Sequence, residues 1–442
     1  MKTVAFHNLG CKVNSYEIDV MQQKLQENGY TVVPFDTLAD IYVINTCTVT
    51  NIADRKSRQM LHQAKKRNPD AIVVAVGCYV QTAEEKLDQD PAIDLAIGNN
   101  RKGEIAEILE RYLKEREEST LKELHKEMID INHTDVYEEM QLKQTADHTR
   151  AYIKIQDGCN QFCSYCVIPY ARGRVRSRNE EDIEQEILGL VKKGFREVVL
   201  TGIHISSYGI DRGGVQLLPL LQRIAKIDGL ERIRLGSLEP RIITRDFLDG
   251  IAGIKQICPH FHLSLQSGCD ETLKRMNRRY SAAEFLDGVK MIRSYYPEAA
   301  ITTDVIVGFP GETEAEFESS KAFLEEVEFY EMHVFKYSVR KGTRAAVMPD
   351  QVPDPIKTSR SETLLKLEAE MSHKYRSRYL GKVVSVLFEE PQMIDGRIYQ
   401  VGHTPTYLKV AYQTEEDLSN RILEGRITDF LEPGLLCFEP RQ

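Results

Sequence analysis

Runs of β-forming residues alternate with helical stretches through most of this 442-residue chain, and this alternation restricts its fold more than any other feature. In residues 3–112 the runs TVAFHNL, DIYVINT and AIVVAVG are each followed by a segment with helical periodicity. A helix between two strands lets them lie side by side and parallel. The sequence therefore predicts an α/β protein whose amino-terminal domain, residues 1–115, contains a parallel sheet.

A second series of alternating units extends to about residue 340. Its six strand candidates are AYIKIQ, EVVLTGI, RIRLGS, HFHLSL, AITTDVIVGF and MHVFKYS. A complete eight-unit barrel needs roughly 250 residues. Six units therefore predict a partial (βα)6 TIM-like barrel with an open side, assigned to residues 148–372, and a charged linker is assigned to residues 116–147.

The last part of the chain, residues 376–442, has a different composition. Short runs rich in Val, Tyr, Leu and Ile, such as GKVVSVLFEEP and TYLKVAYQ, are broken by Gly and Pro. Several short strands close together are typical of a small barrel. The sequence predicts a small β-barrel at this end of the chain.

Three cysteines in DGCNQFCSYCVIP, residues 157–169, are the strongest chemical signal. Cys159, Cys163 and Cys166 have no fourth protein ligand nearby, whereas structural zinc usually takes four. A 4Fe-4S cluster is ordinarily held by one thiolate on each iron. Three thiolates would leave one iron open to a substrate or a cofactor.

Three further cysteines each follow a predicted strand of the amino-terminal sheet. They are Cys11 in NLGCKVN, Cys47 in INTCTVT and Cys78 in VGCY. Ligands of parallel sheets gather beyond the carboxyl ends of the strands, so these thiols can converge on one point. The alternative is that they are small buried hydrophobic residues. The remaining cysteines have no partner at metal spacing and are predicted to be structural: Cys258, Cys269 and Cys437.

The formal net charge of -9 excludes a uniformly basic surface, so a nucleic acid would have to bind to local patches. One candidate patch alternates within ARGRVRSR and would share one side of an extended segment: Arg172, Arg174, Arg176 and Arg178. A second consists of Arg275, Arg278 and Arg279. The alternative for each run is a solvated surface.

Membrane insertion and secretion are not expected from this sequence. No stretch approaches the roughly 18 uninterrupted apolar residues of a membrane span, and no secretory signal is recognisable. Nine cysteines, an odd number, favour metal or redox chemistry over a disulfide framework. The expected location is cytoplasmic.

The Cys-x-x-x-Cys-x-x-Cys spacing after the first strand of a βα barrel resembles the radical S-adenosylmethionine superfamily. The resemblance implies that Cys159, Cys163 and Cys166 bind a 4Fe-4S cluster whose open iron chelates S-adenosylmethionine. It also implies a low-potential electron donor, because reductive cleavage of the sulfonium bond to a 5′-deoxyadenosyl radical needs a strong reductant.

Further segments at the predicted barrel strand ends resemble S-adenosylmethionine contacts of that superfamily. TGIHI, GSLEP and SLQSG would supply polar contacts, and VGFPGET resembles a glycine-bearing turn beside the adenine. The residues implied are Thr201, Gly202, Glu239, Ser264, Gln266, Gly308 and, packed beside the adenine, Tyr165. The alternative is that these glycines and prolines only turn strands into helices. His204, within TGIHI, is the one histidine of interest.

The order of dispersed cysteines, radical barrel and small β-barrel resembles the methylthiotransferases over essentially the whole chain. This resemblance implies that Cys11, Cys47 and Cys78 bind a second 4Fe-4S cluster. It implies two molecules of S-adenosylmethionine, one methylating the inserted sulfur and one forming the radical. The sulfur would come from an external donor or from the cluster, and the last barrel would be an RNA-binding TRAM module.

Three branches of that family differ in substrate: two modify an adenosine of transfer RNA and one modifies an aspartate of a ribosomal protein. NLGCKVNSYE and TGIHISSYG resemble the branch acting on threonylcarbamoyladenosine at position 37, where Lys follows the first cysteine. The isopentenyladenosine branch usually shows Gln-Met-Asn there. The expected partner is the tRNA anticodon loop. A non-catalytic, zinc-holding RNA-binding module is the alternative from another class.

Overall fold

The amino-terminal part of the protein is a six-stranded parallel sheet in the order β2-β1-β3-β4-β5-β6. The computed structural model describes residues 2–118, 124–144 and 149–441. The strands are β1 (Thr3–Asn8), β2 (Thr31–Val33), β3 (Ile41–Thr46), β4 (Ile72–Gly77), β5 (Leu95–Ile97) and β6 (His125–Glu127). The helices are α1 (Lys12–Glu27), α2 (Asn51–Arg67), α3 (Cys78–Thr82), α4 (Glu84–Leu87) and α5 (Ile105–Glu118). The predicted parallel sheet is confirmed.

Helices cover both faces of this sheet. Every residue of β3 and β4 is buried, as expected for central strands of a parallel sheet. Val43 and Val74 pack towards α1 and α5, whereas Tyr42 and Ala75 pack towards α2. Alternating side chains of one strand therefore enter two separate cores.

The segment predicted as a linker, 116–147, lies partly outside the described residues, which omit 119–123 and 145–148. Its described part is packed on the amino-terminal sheet. β6 pairs with β5 in parallel, His125 opposite Leu95. Met140 and Leu142 are buried in the core formed with α1 and α5. Two apolar anchors among many charged residues gave too weak a sequence signal to indicate this packing.

The middle of the chain forms the predicted partial barrel. Its strands are β7 (Arg150–Lys154), β8 (Gln156–Asp157), β9 (Arg176–Ser177), β10 (Glu197–Thr201), β11 (Arg232–Leu235), β12 (His260–His262), β13 (Ala300–Val307) and β14 (Glu331–Lys336). Parallel bridges join the sheets β7-β10-β11 and β12-β13-β14, while β8 and β9 form a separate antiparallel pair. In the described chain β7 and β14 do not pair, so six parallel strands leave one side open.

Helices surround the outside of this barrel. They are α6 (Ile168–Arg172), α7 (Glu180–Lys192), α8 (Leu217–Ile224), α9 (Arg245–Ala252), α10 (Asp270–Arg275), α11 (Ala282–Tyr295), α12 (Glu314–Val327) and α13 (Asp354–Ser377). Apolar faces of these helices and of the strands share one large core. Capping boxes begin α11 at Ser281 and α12 at Thr313. No helix in the described ranges is long and apolar enough to cross a membrane.

Five strands at the carboxyl end form a closed barrel in the order β15-β16-β17-β19-β18, as predicted. They are β15 (Val383–Ile394), β16 (Arg397–His403), β17 (Lys409–Gln413), β18 (Ile422–Glu432) and β19 (Leu435–Pro440). The loop between β16 and β17 reaches the larger barrel. The similarity of this small barrel to a TRAM module stays a prediction.

Tyr407 anchors the small barrel to the large one. Its ring stacks on His260 at 4.8 Å and on His403 at 4.6 Å between ring centroids. The guanidinium groups of Arg150 and Arg234 lie 5.2 and 4.8 Å from the ring centre. Arg150 begins β7 and His260 begins β12. The small barrel therefore closes the amino ends of the parallel strands and leaves the carboxyl ends free for a site.

Candidate active site

The three cysteines Cys159, Cys163 and Cys166, called here the barrel trio, line a cavity of about 300 Å³ at the carboxyl end of the parallel strands. Val49 and Thr50 of the amino-terminal domain line the same cavity. The site therefore lies between the two α/β parts of the protein. Its other polar lining residues include Gln161, His204, Glu239, Ser264, Gln266, Arg278 and Asp304.

A tightly folded loop positions the barrel trio. Gly158 has φ +72°, and a Cβ there would lie 1.8 Å from the Arg174 carbonyl oxygen, so only glycine fits. Cys159 N donates a hydrogen bond to Gly173 O at 3.0 Å, and Cys166 N donates to Cys163 O at 2.9 Å. These contacts curl the loop so that its sulfurs face the cavity.

The thiols of Cys159 and Cys166 would be protonated without a cation. Burial, together with the neighbouring sulfurs, raises the pKa of Cys159 to about 11 and that of Cys166 to about 12. Arg278 offsets part of this cost, because its Nη1 donates a hydrogen bond to Cys163 Sγ at 3.2 Å. Thiols in such a site become thiolates when a metal group binds.

The structure also brings Cys11, Cys47 and Cys78, called here the amino-terminal trio, to one point beyond the carboxyl ends of β1, β3 and β4. Burial and the two neighbouring sulfurs raise the pKa of Cys47 to about 11. Cys11 is solvent-exposed, yet the protein around it also raises the pKa of its thiol by desolvation. Gly77, with φ +99°, precedes Cys78, and a Cβ there would lie 2.6 Å from Asn45 Oδ1.

Arg172 connects the amino-terminal trio to the barrel. Its Nε donates to Cys78 Sγ at 3.2 Å, and its Nη2 donates to Asn14 Oδ1 at 2.8 Å. Its Nη1 lies 2.8 Å from Glu17 and 3.1 Å from Asp157. One buried guanidinium group therefore touches a sulfur, helix α1 and the strand that leads into the barrel trio.

Glu17 is the centre of a buried ion network between the two domains. Lys154 Nζ lies 2.9 Å from Glu17 and 2.6 Å from Asp157, and Lys102 also pairs with Glu17. Burial alone would raise the pKa of Glu17, but Arg172, Lys102 and Lys154 hold that pKa well below its usual range. Three cations and two carboxylates thus fix the position of α1 against β7. Sequence reasoning missed this network because its members are up to 155 residues apart.

The donor set of each trio fits an iron–sulfur cluster better than a single ion. Ligands of one zinc ion lie about 3.8 Å apart, given Zn–S bonds of about 2.3 Å. The sulfurs of neither trio all lie within 4.8 Å of one another; in the described ranges only His262, Asp304 and His333 form a group that close. Thiolates that each bind a different iron of a cluster lie further apart than this.

The residues predicted to contact S-adenosylmethionine separate into two groups. Those that line the cavity are Tyr165, Glu239, Ser264 and Gln266. Those that do not are Thr201, Gly202 and Gly308. Thr201 is buried and its carbonyl accepts a hydrogen bond from Ile155 N at 2.9 Å. At Gly308, φ +69°, a Cβ would lie 2.3 Å from Lys357 Cγ, so that glycine is explained by packing.

Several lining residues were not predicted from the sequence. Asp304 is a carboxylate in the middle of the apolar strand β13, and that contrast was a usable signal. Gln161 lies inside the cysteine loop, and its backbone N donates to Cys159 Sγ at 3.5 Å. His204, the histidine of interest in the sequence, also lines the cavity, and burial lowers its pKa to about 4, so its imidazole is neutral. The neutral imidazole can form hydrogen bonds, and its Nε2 lies 3.4 Å from Gln161 Nε2.

The arginine patch predicted within residues 172–178 requires a correction. The segment is not extended: α6 ends at Arg172 and Gly173 turns the chain with φ +72° before β9. Arg172, Arg176 and Arg178 are buried and make internal hydrogen bonds, because they fill the junction between the domains. Only Arg174 is exposed.

The three arginines of the second predicted patch also differ in their surroundings. Arg278 donates a hydrogen bond to Cys163 Sγ, and Arg275 forms an ion pair with Glu316 at 2.6 Å. Arg279 is exposed.

The cysteines predicted to be structural join neither trio; Cys258 and Cys269 are buried and Cys437 is partly exposed.

Two family models match the two parts of the chain that carry the two cysteine trios. Residues 153–324 match the Radical SAM superfamily model, and residues 3–98 match the Uncharacterized protein family UPF0004 model. The structure resembles the cobalamin-binding radical S-adenosylmethionine methyltransferase TsrM of Kitasatospora setae, with a TM-score of 0.57 and 14% identity over 78% of this chain and 77% of that one. Fold and site together define a radical S-adenosylmethionine enzyme.

Curated relatives resemble nearly the whole chain. Threonylcarbamoyladenosine tRNA methylthiotransferase MtaB of Bacillus subtilis is 39% identical, covering 97% of this chain and 94% of the relative. The MtaB of Aquifex aeolicus is 42% identical over 88% and 93%. A tRNA-2-methylthio-N(6)-dimethylallyladenosine synthase of Carboxydothermus hydrogenoformans is 35% identical over 95% of both. The chain belongs to the radical S-adenosylmethionine tRNA methylthiotransferase family, and membership implies a 4Fe-4S cluster and S-adenosylmethionine as cofactors.

Proposed function

We propose that the protein adds a methylthio group to C2 of N6-threonylcarbamoyladenosine at position 37 of tRNA. The reaction would use two 4Fe-4S clusters and two molecules of S-adenosylmethionine. Relatives named for threonylcarbamoyladenosine are 35–42% identical, and those named for dimethylallyladenosine are 34–36% identical. The local sequences NLGCKVNSYE and TGIHISSYG support the same branch.

One observation carries the proposal: the barrel trio lines a cavity that Val49 and Thr50, which closely follow Cys47 of the amino-terminal trio, also line. Each trio also has a buried or partly buried arginine 3.2 Å from one sulfur. A single trio would serve radical formation alone. Insertion of sulfur needs a second site that presents sulfur to the same substrate. Thr50 lines the cavity of the barrel trio and also caps α2, three residues after Cys47. The two trios are therefore neighbours across the domain junction.

The chain's own residues would hold and orient the cofactors. When bound, the barrel cluster and S-adenosylmethionine supply a radical able to remove hydrogen from a C–H bond too weakly acidic for general-base catalysis. The barrel trio would hold that cluster, and the amino-terminal trio would hold the second. Glu239, Ser264 and Gln266 offer polar contacts to S-adenosylmethionine, and Tyr165 offers an aromatic face.

A surface beside the barrel trio suits an unpaired RNA loop. The Arg174 guanidinium lies 4.4 Å from the centre of the Phe162 ring, and Tyr170 meets the same ring edge-on at 6.1 Å. Tyr170 and Arg174 are exposed. Aromatic and guanidinium planes are the groups on which unstacked bases pack. We assign this surface, Phe162–Tyr170–Arg174, to contact with the anticodon loop.

Two measurements test the proposed function. Reconstituted protein should contain about eight irons per chain, four for each cluster. Incubation with tRNA, S-adenosylmethionine and a low-potential reductant, followed by nucleoside mass spectrometry, should yield 2-methylthio-N6-threonylcarbamoyladenosine. An iron content that stays near four would remove the second cluster and sulfur insertion with it.

The same assay separates the alternatives. Product only from isopentenyladenosine would assign the protein to the other tRNA branch, and a modified ribosomal-protein peptide without any modified nucleoside would assign it to the third. The reaction also requires a low-potential electron donor as partner. Turnover that depends on added sulfide would indicate an external sulfur donor, whereas a single sulfide-independent turnover would indicate sulfur drawn from a cluster.

A further inference from the structure

Residues 338–345, called here the bridging segment, follow β14 at the open side of the barrel. Near the carboxyl end of this segment, Ala345 N donates a hydrogen bond to Ser164 O at 2.7 Å. Ser164 lies in the loop that carries the barrel trio. At the other end of the segment, Ser338 lines the cavity. The bridging segment is therefore attached directly to the loop of the barrel trio.

Arg340 joins the bridging segment to the amino-terminal domain. Its Nη1 donates a hydrogen bond to Asn51 Oδ1 at 2.8 Å, and its Nη2 donates to Thr48 Oγ1 at 2.6 Å. Nη2 also lies 2.8 Å from Asp54 Oδ2. Arg340 is only 8% exposed. Because the guanidinium plane is rigid and its donors point in fixed directions, three acceptors around it define one relative position of the two domains.

The first turn of α2 makes further contacts with the bridging segment. Asn51 N donates to Ser338 Oγ at 3.1 Å, and Asn51 Nδ2 donates to Val339 O at 3.0 Å. Thr50, the residue before Asn51, lines the cavity. The contacts made by Asn51 and Arg340 therefore hold the start of α2 against the cavity.

The same contacts lead to the amino-terminal trio. Thr48, which accepts a hydrogen bond from Arg340, directly follows Cys47. Thr82 Oγ1 lies 3.3 Å from Thr48 Oγ1 and 3.0 Å from Cys78 O. A continuous set of hydrogen bonds thus connects the bridging segment with the loops of two cysteines of the amino-terminal trio.

We infer that Arg340 is a positioning residue that fixes the amino-terminal trio relative to the cavity of the barrel trio and so couples radical formation to sulfur insertion. This inference rests on the proposed function. The ion network around Glu17 joins the domains on the β7 side of the barrel opening, whereas Arg340 joins them on the β14 side. Two attachments fix the orientation of the amino-terminal domain. Without Arg340 that domain could tilt about the remaining attachment.

Sulfur insertion should be more sensitive to such a tilt than radical formation. Reacting atoms must come within about 3–3.5 Å of each other, and a misplacement of about 1 Å can slow a reaction by about 100-fold. Formation of 5′-deoxyadenosine depends on the barrel site alone. Loss of Arg340 should therefore slow methylthiolation far more than it slows formation of 5′-deoxyadenosine.

The test measures 5′-deoxyadenosine and the methylthiolated nucleoside in one reaction with an anticodon stem–loop that bears threonylcarbamoyladenosine. Reconstituted wild type is compared with Arg340→Met, Arg340→Lys and Asn51→Ala. Arg344→Met, which replaces an exposed arginine of the same bridging segment, is the matched control. Iron content is measured for each protein, and pulsed EPR of the reduced protein gives the distribution of distances between the two clusters.

Arg340→Met should keep about eight irons per chain, because all six cysteines remain. It should form about 10- to 100-fold less product for each 5′-deoxyadenosine, and its distribution of cluster distances should be broader than that of wild type. Arg340→Lys should recover part of the coupling, since an ammonium group can pair with Asp54 but lacks the planar fork. Asn51→Ala should change both quantities in the same direction but less. Arg344→Met should match wild type.

A wild-type product ratio and a wild-type distance distribution in Arg340→Met would overturn the inference. If Arg340→Met does not retain its iron, Arg340→Lys and Asn51→Ala decide, and wild-type coupling in both would overturn the inference. Equal losses of 5′-deoxyadenosine and product in the variants that keep their iron would also overturn it, with the proposed function intact. A wild type that forms 5′-deoxyadenosine but no methylthiolated nucleoside from this RNA would instead overturn the proposed function.

Discussion

Arg278 and Cys163 are joined by a hydrogen bond in which Nη1 of the arginine donates to the sulfur at 3.2 Å. Arg172 Nε makes the equivalent contact with Cys78 Sγ, also at 3.2 Å. Each cysteine trio therefore has one guanidinium group on one sulfur. Hydrogen bonds and charges at cluster sulfurs are a main way in which a protein sets a reduction potential.

Replacing Arg278 should make the barrel cluster harder to reduce. In Arg278→Gln the positive charge next to Cys163 is lost, and the reduced, more negatively charged cluster loses more stabilisation than the oxidised one. We expect a more negative midpoint in an EPR-monitored redox titration and slower formation of 5′-deoxyadenosine. Arg279→Gln, at the exposed neighbouring position, is the control and should leave both unchanged. An unaltered midpoint in Arg278→Gln would contradict this role.

Removing one cysteine of the barrel trio should remove one cluster only. Cys163→Ala is expected to lower the iron content from about eight to about four per chain, because each cluster contains four irons. It should abolish 5′-deoxyadenosine formation while the spectrum of the second cluster persists. Cys437→Ala, at a cysteine outside both trios, should keep all the iron. Continued cleavage of S-adenosylmethionine by Cys163→Ala would refute the assignment.

Glu17 should contribute strongly to the junction between the domains. Glu17→Ala leaves Lys102, Lys154 and Arg172 with one carboxylate fewer in a buried site, which should cost about 3–5 kcal/mol. Glu27, whose pair with Lys143 is exposed on the same helix, is the matched control, and Glu27→Ala should cost about 0–1 kcal/mol. The measurement is the shift of the urea midpoint. Equal shifts for the two variants would argue against the network.

His204 should make stability depend on pH. Its folded-state pKa is lowered to about 4, chiefly by burial, whereas an unfolded histidine titrates near 6.5. The unfolded state therefore binds a proton that the folded state refuses, so His204 contributes stability above about pH 6.5 and loses it as the pH falls towards 4. His204→Asn should lose less thermal stability than wild type between about pH 7.5 and about pH 5. His133→Asn, at an exposed histidine, should behave like wild type.

Arg174 should contribute to RNA binding through charge. Arg174→Ala is expected to weaken binding of an anticodon stem–loop and to reduce the slope of log affinity against log salt by about one. Fluorescence anisotropy at several salt concentrations measures both. Arg245→Ala, exposed at the start of α9 on the outside of the barrel, is the control. An unchanged salt slope in Arg174→Ala would place the RNA elsewhere.

Much of the architecture could be predicted because its signals are local. Fully apolar runs such as β4 and the periodicity of the helices between them indicate parallel sheets without any long-range information. The barrel trio occupies eight consecutive residues, and its spacing alone indicates its chemistry. The strand-end positions of Cys11, Cys47 and Cys78 predicted their convergence for the same reason.

The arginines wrongly predicted to form an exposed patch show the limit of what a short stretch of sequence can indicate. ARGRVRSR looks like an exposed basic run, but Gly173 turns the chain and the junction between the domains buries Arg172, Arg176 and Arg178. The sequence around these residues contains no trace of Glu17, the carboxylate 155 residues away with which Arg172 pairs. Burial of a charge depends on partners that are distant in sequence.

The sequence by itself determined the α/β class, the two cysteine trios and the small carboxyl-terminal barrel, because each depends on periodicity or spacing within a short segment. Only the tertiary structure decided that Arg172 donates a hydrogen bond to a cysteine sulfur and that Tyr407 closes the amino end of the barrel. Those roles arise where α1 and the β16–β17 loop meet the barrel. The packing of segments more than a hundred residues apart sets which charges are paired, buried or exposed.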